Sequence, residues 1–114
     1  MALESYRKLI VWQTSFELAK DIYTLTRDLP REEQFGLTSQ MRRCAVSIPS
    51  NIAEGQQRNN AKEYRQFLGV ARGSAAELFT QLLLVQEIYK TDATDFLATT
   101  ESIQKMLYAL IQKL

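Results

Sequence analysis

Apolar residues recur along most of this chain at spacings of three, four and seven, the pattern of helices that bury one face. In the first such segment Val11, Leu18, Ile22, Leu25 and Leu29 fall on one stripe, with Trp12, Phe16, Ala19 and Tyr23 on the stripe beside it. Together they predict a wide buried face, closed by Pro30. A second segment sets Leu37, Met41, Cys44, Ala45, Ile48 and Ile52 in phase, with Thr38 or Ser39 placed to cap its start and Gly55 to end it. Asn60-Ala61-Lys62-Glu63 then has the form of a capping box, in which the Asn60 side chain accepts from the Glu63 amide while Glu63 reaches back. From there Tyr64, Phe67, Leu68, Ala71, Ala75, Leu78, Leu82, Val85 and Tyr89 hold one phase for about seven turns. Thr91 or Asp92 suits the start of a last helix carried by Phe96, Ile103, Leu107, Leu110 and Leu114.

No segment alternates with period two between hairpin turns, so no strand is expected. The links near residues 30–36, 56–60 and 90–92 are short, which makes consecutive helices antiparallel. The expected fold is all-α: an antiparallel up-down-up-down four-helix bundle, one domain over residues 1–114. Its second helix contains Pro49, which lacks an amide hydrogen and would press on the Ala45 carbonyl, costing roughly 3 kcal/mol in a straight helix. The preferred reading is a helix kinked at Pro49. The alternative is a restart with Ser47 as N-cap and Pro49 in the first turn.

In a bent helix Gln40, Arg43, Ser47, Ser50, Asn51 and Glu54 share one stripe. Arg42, Arg43, Ser47, Asn51 and Glu54 are therefore candidates for a polar seam. The seam either fixes helix register within the bundle or makes a binding or subunit contact.

Charge adds a second candidate. The chain has 114 residues, is 46% hydrophobic and carries a net charge of +1, enough apolar residues for one core and too little charge for a dedicated polyanion binder. The positive charge is local: residues 38–76 hold six basic and two acidic groups, against five and six in residues 1–37 and three and five in 77–114. Within that zone Arg58, Lys62, Arg65 and Arg72 follow spacings that place them on one side of the third helix and its entry loop. Such a row can hold a phosphate backbone through salt-sensitive contacts, or it can be a solvated face paired with acidic helices. Gly69 and Gly73, followed by Ala76, each cost about 1 kcal/mol relative to alanine inside a helix. Close helix approach, within the bundle or between subunits, is the expected compensation.

Catalytic chemistry has few candidates. The chain has no histidine, and its single Cys44 lies on the apolar phase. Without that general base and ligand, or Cys-x-x-Cys pairs, no catalytic residue, metal or cofactor is expected. One cysteine and the lack of an n-region/h-region leader point to the cytoplasm. The longest apolar runs, such as Leu82-Leu83-Leu84-Val85, are too short to predict a membrane span.

Four stretches carry a resemblance that covers nearly the whole chain: Leu9-Ile10-Val11-Trp12-Gln13; Phe35-Gly36-Leu37-Thr38-Ser39-Gln40-Met41-Arg42-Arg43; Ser47-Ile48-Pro49-Ser50-Asn51-Ile52-Ala53-Glu54-Gly55; and Ala71-Arg72-Gly73-Ser74-Ala75-Ala76-Glu77-Leu78. In order and spacing they resemble the four-helix bundle proteins encoded in intervening sequences of bacterial 23S ribosomal RNA genes. That resemblance extends to the accessory variability proteins of diversity-generating retroelements, which work with a reverse transcriptase and nucleic acid. It implies a small bacterial or phage-borne protein that forms a ring, a homopentamer, with no known enzymatic activity. The retroelement proteins are strongly basic, so the near-neutral charge here places the chain nearer the ribosomal-insert branch. The functional expectation is a nonenzymatic oligomeric bundle that binds RNA or a nucleoprotein. The alternative is a structural or protein-interaction module, a reverse-transcriptase accessory included, that does not touch nucleic acid.

Overall fold

Each apolar stripe forms a helix and turns inward. The computed structural model describes residues 4–114, which form α1 (Ile10–Arg27), α2 (Leu37–Gln56), α3 (Ala61–Tyr89) and α4 (Thr94–Gln112), with 3₁₀ turns at Ser5–Lys8 and Arg31–Glu33. α1 packs on α2 and α4, and α3 packs on the same two, so α1 and α3 occupy opposite corners of a square bundle. The molecule measures 44 × 21 × 20 Å. Ile22, Met41, Ile48, Ile52, Leu68, Leu78, Leu82, Ile103 and Leu107 are fully enclosed along its axis. Burying such side chains stabilises the fold by roughly 1.5–3 kcal/mol each.

α2 runs through Pro49 without interruption. The restart does not occur: the Ser47 hydroxyl bonds to Ser74 on α3 at 2.8 Å instead of capping a new helix. The start of α2 also differs from expectation. Gly36 is its N-cap residue, and the Glu33 carboxylate, reaching forward from the 3₁₀ turn, accepts from the Leu37 amide at 3.1 Å. Thr38 and Ser39 already lie inside the helix.

Gly55 does not terminate α2, which continues to Gln56. Its role is spacing. A Cβ there would stand 2.7 Å from the Phe67 Cβ and 3.1 Å from Tyr64 Cδ1, so only glycine allows α2 this close to α3. The capping box of α3 forms, with Asn60 Oδ1 accepting from the Glu63 amide at 2.9 Å. The return arm joins side chains, since Asn60 Nδ2 donates to Glu63 Oε2 at 2.8 Å. α4 begins after Ala93, and Asp92 accepts from the Thr94 amide at 3.0 Å.

Two surfaces are more apolar than bundle packing requires. The second stripe of α1 is only partly buried: Ala19 joins the core and Trp12 packs against it, but Phe16 is 44% and Tyr23 40% exposed. Trp12 stacks on Phe16 with ring centroids 5.0 Å apart, and these rings join Val46, Pro49 and Ala53 in an open groove of about 540 Å³ between α1 and α2. On α3, Val70, Leu83, Leu84 and Ile88 are exposed, and nothing lies within 4 Å of where a Cβ would stand on Gly69 or Gly73. The glycines therefore bring no helix close inside the subunit. α3 is long and apolar enough by composition to cross a membrane, yet only 39% of that window is buried. Its apolar residues, spread around the whole helix, pass unnoticed in a search for short continuous runs.

Candidate nucleic-acid interface

The bundle sorts charge by its ends. Alternating helix direction gathers the start of α1, the end of α2, the start of α3 and the end of α4 at one end. The half of the bundle at that end (residues 4–18, 47–75 and 104–114) holds eight basic and four acidic groups. The opposite half (19–46 and 76–103) holds six basic and nine acidic, so the halves carry +4 and −3. Arg58, Lys62, Arg65 and Arg72 all belong to the basic half. Arg7, Lys8, Lys105 and Lys113 join them there from distant parts of the sequence.

The four do not form one row. Arg58 turns toward α2, where it pairs with Glu54 at 2.7 Å and lies over the Phe67 ring, 4.6 Å from its centroid. Lys62 is exposed on the first turn of α3. Arg65 turns toward α4 and donates to the Leu114 carbonyl oxygen at 2.6 Å. Arg72, on the same side two turns on, lies 5.2 Å from the centroid of the Tyr108 ring. Tyr108 is 52% exposed and, with Arg72, Gln104 and Lys105, lines an open groove along the α3–α4 edge. Exposed aromatic rings beside guanidinium groups are the surfaces on which unpaired bases stack. Glu101 also lines the groove and pairs with Lys105 at 3.4 Å.

The polar seam disperses. Arg42, one step around the helix from the stripe of Arg43, clasps α1, donating from Nε to Thr26 Oγ1 at 2.9 Å while its guanidinium lies over Tyr23, 4.5 Å from the ring centroid. Ser47 joins α2 to α3 through Ser74, and Asn51 donates to the Ser47 carbonyl at 2.8 Å. Arg43 is exposed and lines a shallow polar cleft with Gln40, Ser47, Ser74 and Glu77. Glu54 serves as the partner of Arg58. Arg42 thus ties α2 to α1 and Ser47 ties it to α3, while the Asn51 amide bonds within α2.

The titrating groups serve packing and capping. Burial first, then the neighbouring Glu77, push the Cys44 thiol up to about 11, so it stays protonated at neutral pH. The Tyr89 hydroxyl donates to the Glu33 carboxylate; this bond and the Leu37 amide hold the Glu33 carboxyl below its ordinary range, while Tyr89 is pushed up to about 12. Among the described residues, no three His, Cys, Asp or Glu side chains come together where they could hold a metal ion.

Fold and side chains define a class: an all-α four-helix bundle whose distinguishing features are surfaces, one of them basic. The chain belongs to the 23S rRNA-intervening sequence protein family, whose model matches residues 7–110. It is similar over 90% of its length, at 27% identity and a TM-score of 0.81, to a crystal structure of a protein of unknown function from the S23 ribosomal protein family of Bacteroides thetaiotaomicron, 96% of which is covered. No curated protein matches the chain.

Proposed function

We propose that this protein is a nonenzymatic, self-assembling cytoplasmic bundle that holds RNA against its basic end and the adjoining α3–α4 edge. The observation that carries the reading is the charge sorting: a chain with a net charge of +1 presents +4 in one half. Lys62, Arg65, Lys113 and Arg72 supply phosphate contacts, and Tyr108 offers a stacking face for a base. Cyclic assembly with the bundles side by side sets every basic end on one face of a ring. Several modest patches then act together, which raises avidity without new contacts.

A labelled single-stranded RNA followed by fluorescence anisotropy tests this. With about four phosphate contacts per subunit, log K falls against log salt with a slope of roughly −3. The Lys62→Glu/Arg65→Glu double variant abolishes binding, while Lys90→Glu, which changes charge at the acidic end, leaves it nearly intact. A flat salt dependence, or equal losses in both variants, overturns the proposal.

The exposed apolar face of α3 favours a second reading, a protein-interaction module in which the arginines make intersubunit salt bridges with Glu54, Glu63, Glu77 or Glu87. A reverse transcriptase is one partner of that kind. In this case the Lys62→Glu/Arg65→Glu variant loses its oligomeric mass, whereas under the first reading the mass is unchanged.

A further inference from the structure

The polar cleft between α2 and α3 is built from opposite charges that leave each other free. It has a volume of about 600 Å³ and is lined by Phe35, Gln40, Arg43, Ser47, Ser74 and Glu77 among others. One hydrogen bond and the helix pitch set its geometry. Ser47 and Ser74 meet at 2.8 Å across the two antiparallel helices. Arg43 precedes Ser47 by four residues and Glu77 follows Ser74 by three, so both stand roughly 5 Å further along the axis in the same direction. Arg43 and Glu77 therefore flank the cleft from opposite walls at one level, with the hydroxyl pair at its end. Neither takes part in an ion pair among the described residues. The hydroxyl pair is also incomplete: Ser47 Oγ accepts from Asn51 Nδ2 at 3.0 Å, and whichever serine donates to the other, one hydroxyl proton is left without an acceptor. Gln81, one turn beyond Glu77, is 5% exposed and donates to Sγ of Cys44, another lining residue, at 3.6 Å. Its Oε1 is the one buried side-chain polar atom among the described residues with no partner, an acceptor left unmet on the same side as Glu77.

We infer that this cleft binds a small zwitterion, a free α-amino acid whose carboxylate pairs with Arg43 and whose ammonium pairs with Glu77. A guanidinium takes a carboxylate through two parallel hydrogen bonds, and the spare serine proton supplies a third. The charge pattern rejects the alternatives. A phosphate would meet Glu77, and Arg42, the adjoining cation in sequence, is turned away to α1. An amine without a carboxylate would meet Arg43. A molecule carrying both charges on adjoining atoms satisfies each wall and repels neither. Phe35, 88% exposed on the cleft wall, gives an aliphatic or aromatic side chain an apolar surface to cover. The site is independent of the proposed RNA surface, since Arg43 and Glu77 both belong to the acidic half of the bundle.

L-Phenylalanine titrated into the ¹⁵N-labelled protein, with amide shifts followed by TROSY spectra, tests this. A few polar contacts in an open cleft correspond to a Kd of order 10⁻³ M, with shifts concentrated in residues 39–47 and 74–81. Two analogues separate the charges. 3-Phenylpropionate lacks the ammonium and phenethylamine lacks the carboxylate, and each should bind about tenfold more weakly. Arg43→Gln should then bind phenylalanine no better than phenethylamine, and Glu77→Gln no better than 3-phenylpropionate. Both positions are exposed, so the variants should keep wild-type circular dichroism and oligomeric mass. Equal binding of the three compounds, shifts confined to the aromatic α1–α2 groove, or no shifts well above the expected Kd overturns the inference. So do variants that change the oligomeric mass but leave the phenylalanine shifts as in wild type, which would assign the two charges to subunit contacts. RNA anisotropy should be unchanged by phenylalanine, so the two sites are judged separately.

Discussion

Replacing Gly55 by alanine adds one methyl group where α2 and α3 touch. The new Cβ would lie 2.7 Å from the Phe67 Cβ, 3.1 Å from Tyr64 Cδ1 and 3.4 Å from the Tyr64 carbonyl oxygen. The Phe67 Cβ is fixed to the α3 backbone, so relief requires the helices to part. Overpacking costs about 1–3 kcal/mol, and about 2–3 kcal/mol where, as here, an atom fixed to the backbone must move; alanine recovers about 1 kcal/mol of helix propensity. A net loss of about 1–2 kcal/mol is expected, lowering the thermal midpoint by roughly 4–8 °C for a domain of this size. Gly69→Ala is the matched control. It sits in an α-helix with open space around the added methyl, so only the propensity gain of about 1 kcal/mol remains and the sign reverses. Urea unfolding followed by circular dichroism measures both, at protein concentrations low enough that the midpoint does not depend on concentration. A neutral or stabilising Gly55→Ala, or the same sign for both substitutions, refutes the view that glycine at 55 sets the α2–α3 distance.

Two other predictions concern titration and reactivity. Glu33, held below its ordinary pKa, stabilises the fold above the carboxylate range and loses that contribution as pH falls through its folded value; Tyr89, raised to about 12, contributes below about pH 10 and loses it as pH rises through 12. Tyr89→Phe should therefore shrink both limbs of a stability–pH profile, leaving in the alkaline limb the parts owed to Cys44 and Tyr64 and in the acid limb those owed to the Glu33–Leu37 bond and to Asp92. A profile identical to wild type contradicts this. Cys44 is buried, with its pKa near 11, so the native thiol should react with an aromatic disulfide reagent at least tenfold more slowly at pH 8 than in urea. Equal rates would show an accessible thiolate.

How much of this was legible in the sequence depended on whether the cause was local. The Asn60 capping box joins residues three apart, and its pattern marked the start of α3 correctly. The cap of α2 was not visible, because Glu33 reaches Leu37 from a 3₁₀ turn beyond Gly36 and competes with better-known caps at Thr38 and Ser39. Phe16 and Tyr23 keep helical phase with the core, yet the stripe is wider than the inter-helix contact, and periodicity cannot tell a buried flank from an exposed groove. Gly55 had the composition of a terminator; only the positions of Phe67 and Tyr64, on another helix, reveal it as a spacer.

The candidate interface shows the same division. Summing charge over consecutive residues located Arg58, Lys62, Arg65 and Arg72 but missed Arg7, Lys8, Lys105 and Lys113. Folding antiparallel helices places these at the same end, so a sum over helix ends, available once the up-down order is expected, would have found them. Tyr108 beside Arg72 depends on the register of α4 against α3, which no spacing encodes. Arg42 falls with Arg43 in sequence, but one step around a helix is about 100°, enough to send it to α1 while Arg43 faces solvent.

The measurement that bears most directly on the basic end is photocrosslinking of a 4-thiouridine-labelled single-stranded RNA to the wild-type protein, with crosslinked peptides identified by mass spectrometry. Crosslinks confined to residues 58–72 and 104–114, and lost together as salt is raised, are the expected result. Crosslinks at the acidic end, in residues 28–38 or 87–96, or none at low salt, contradict RNA binding by this surface.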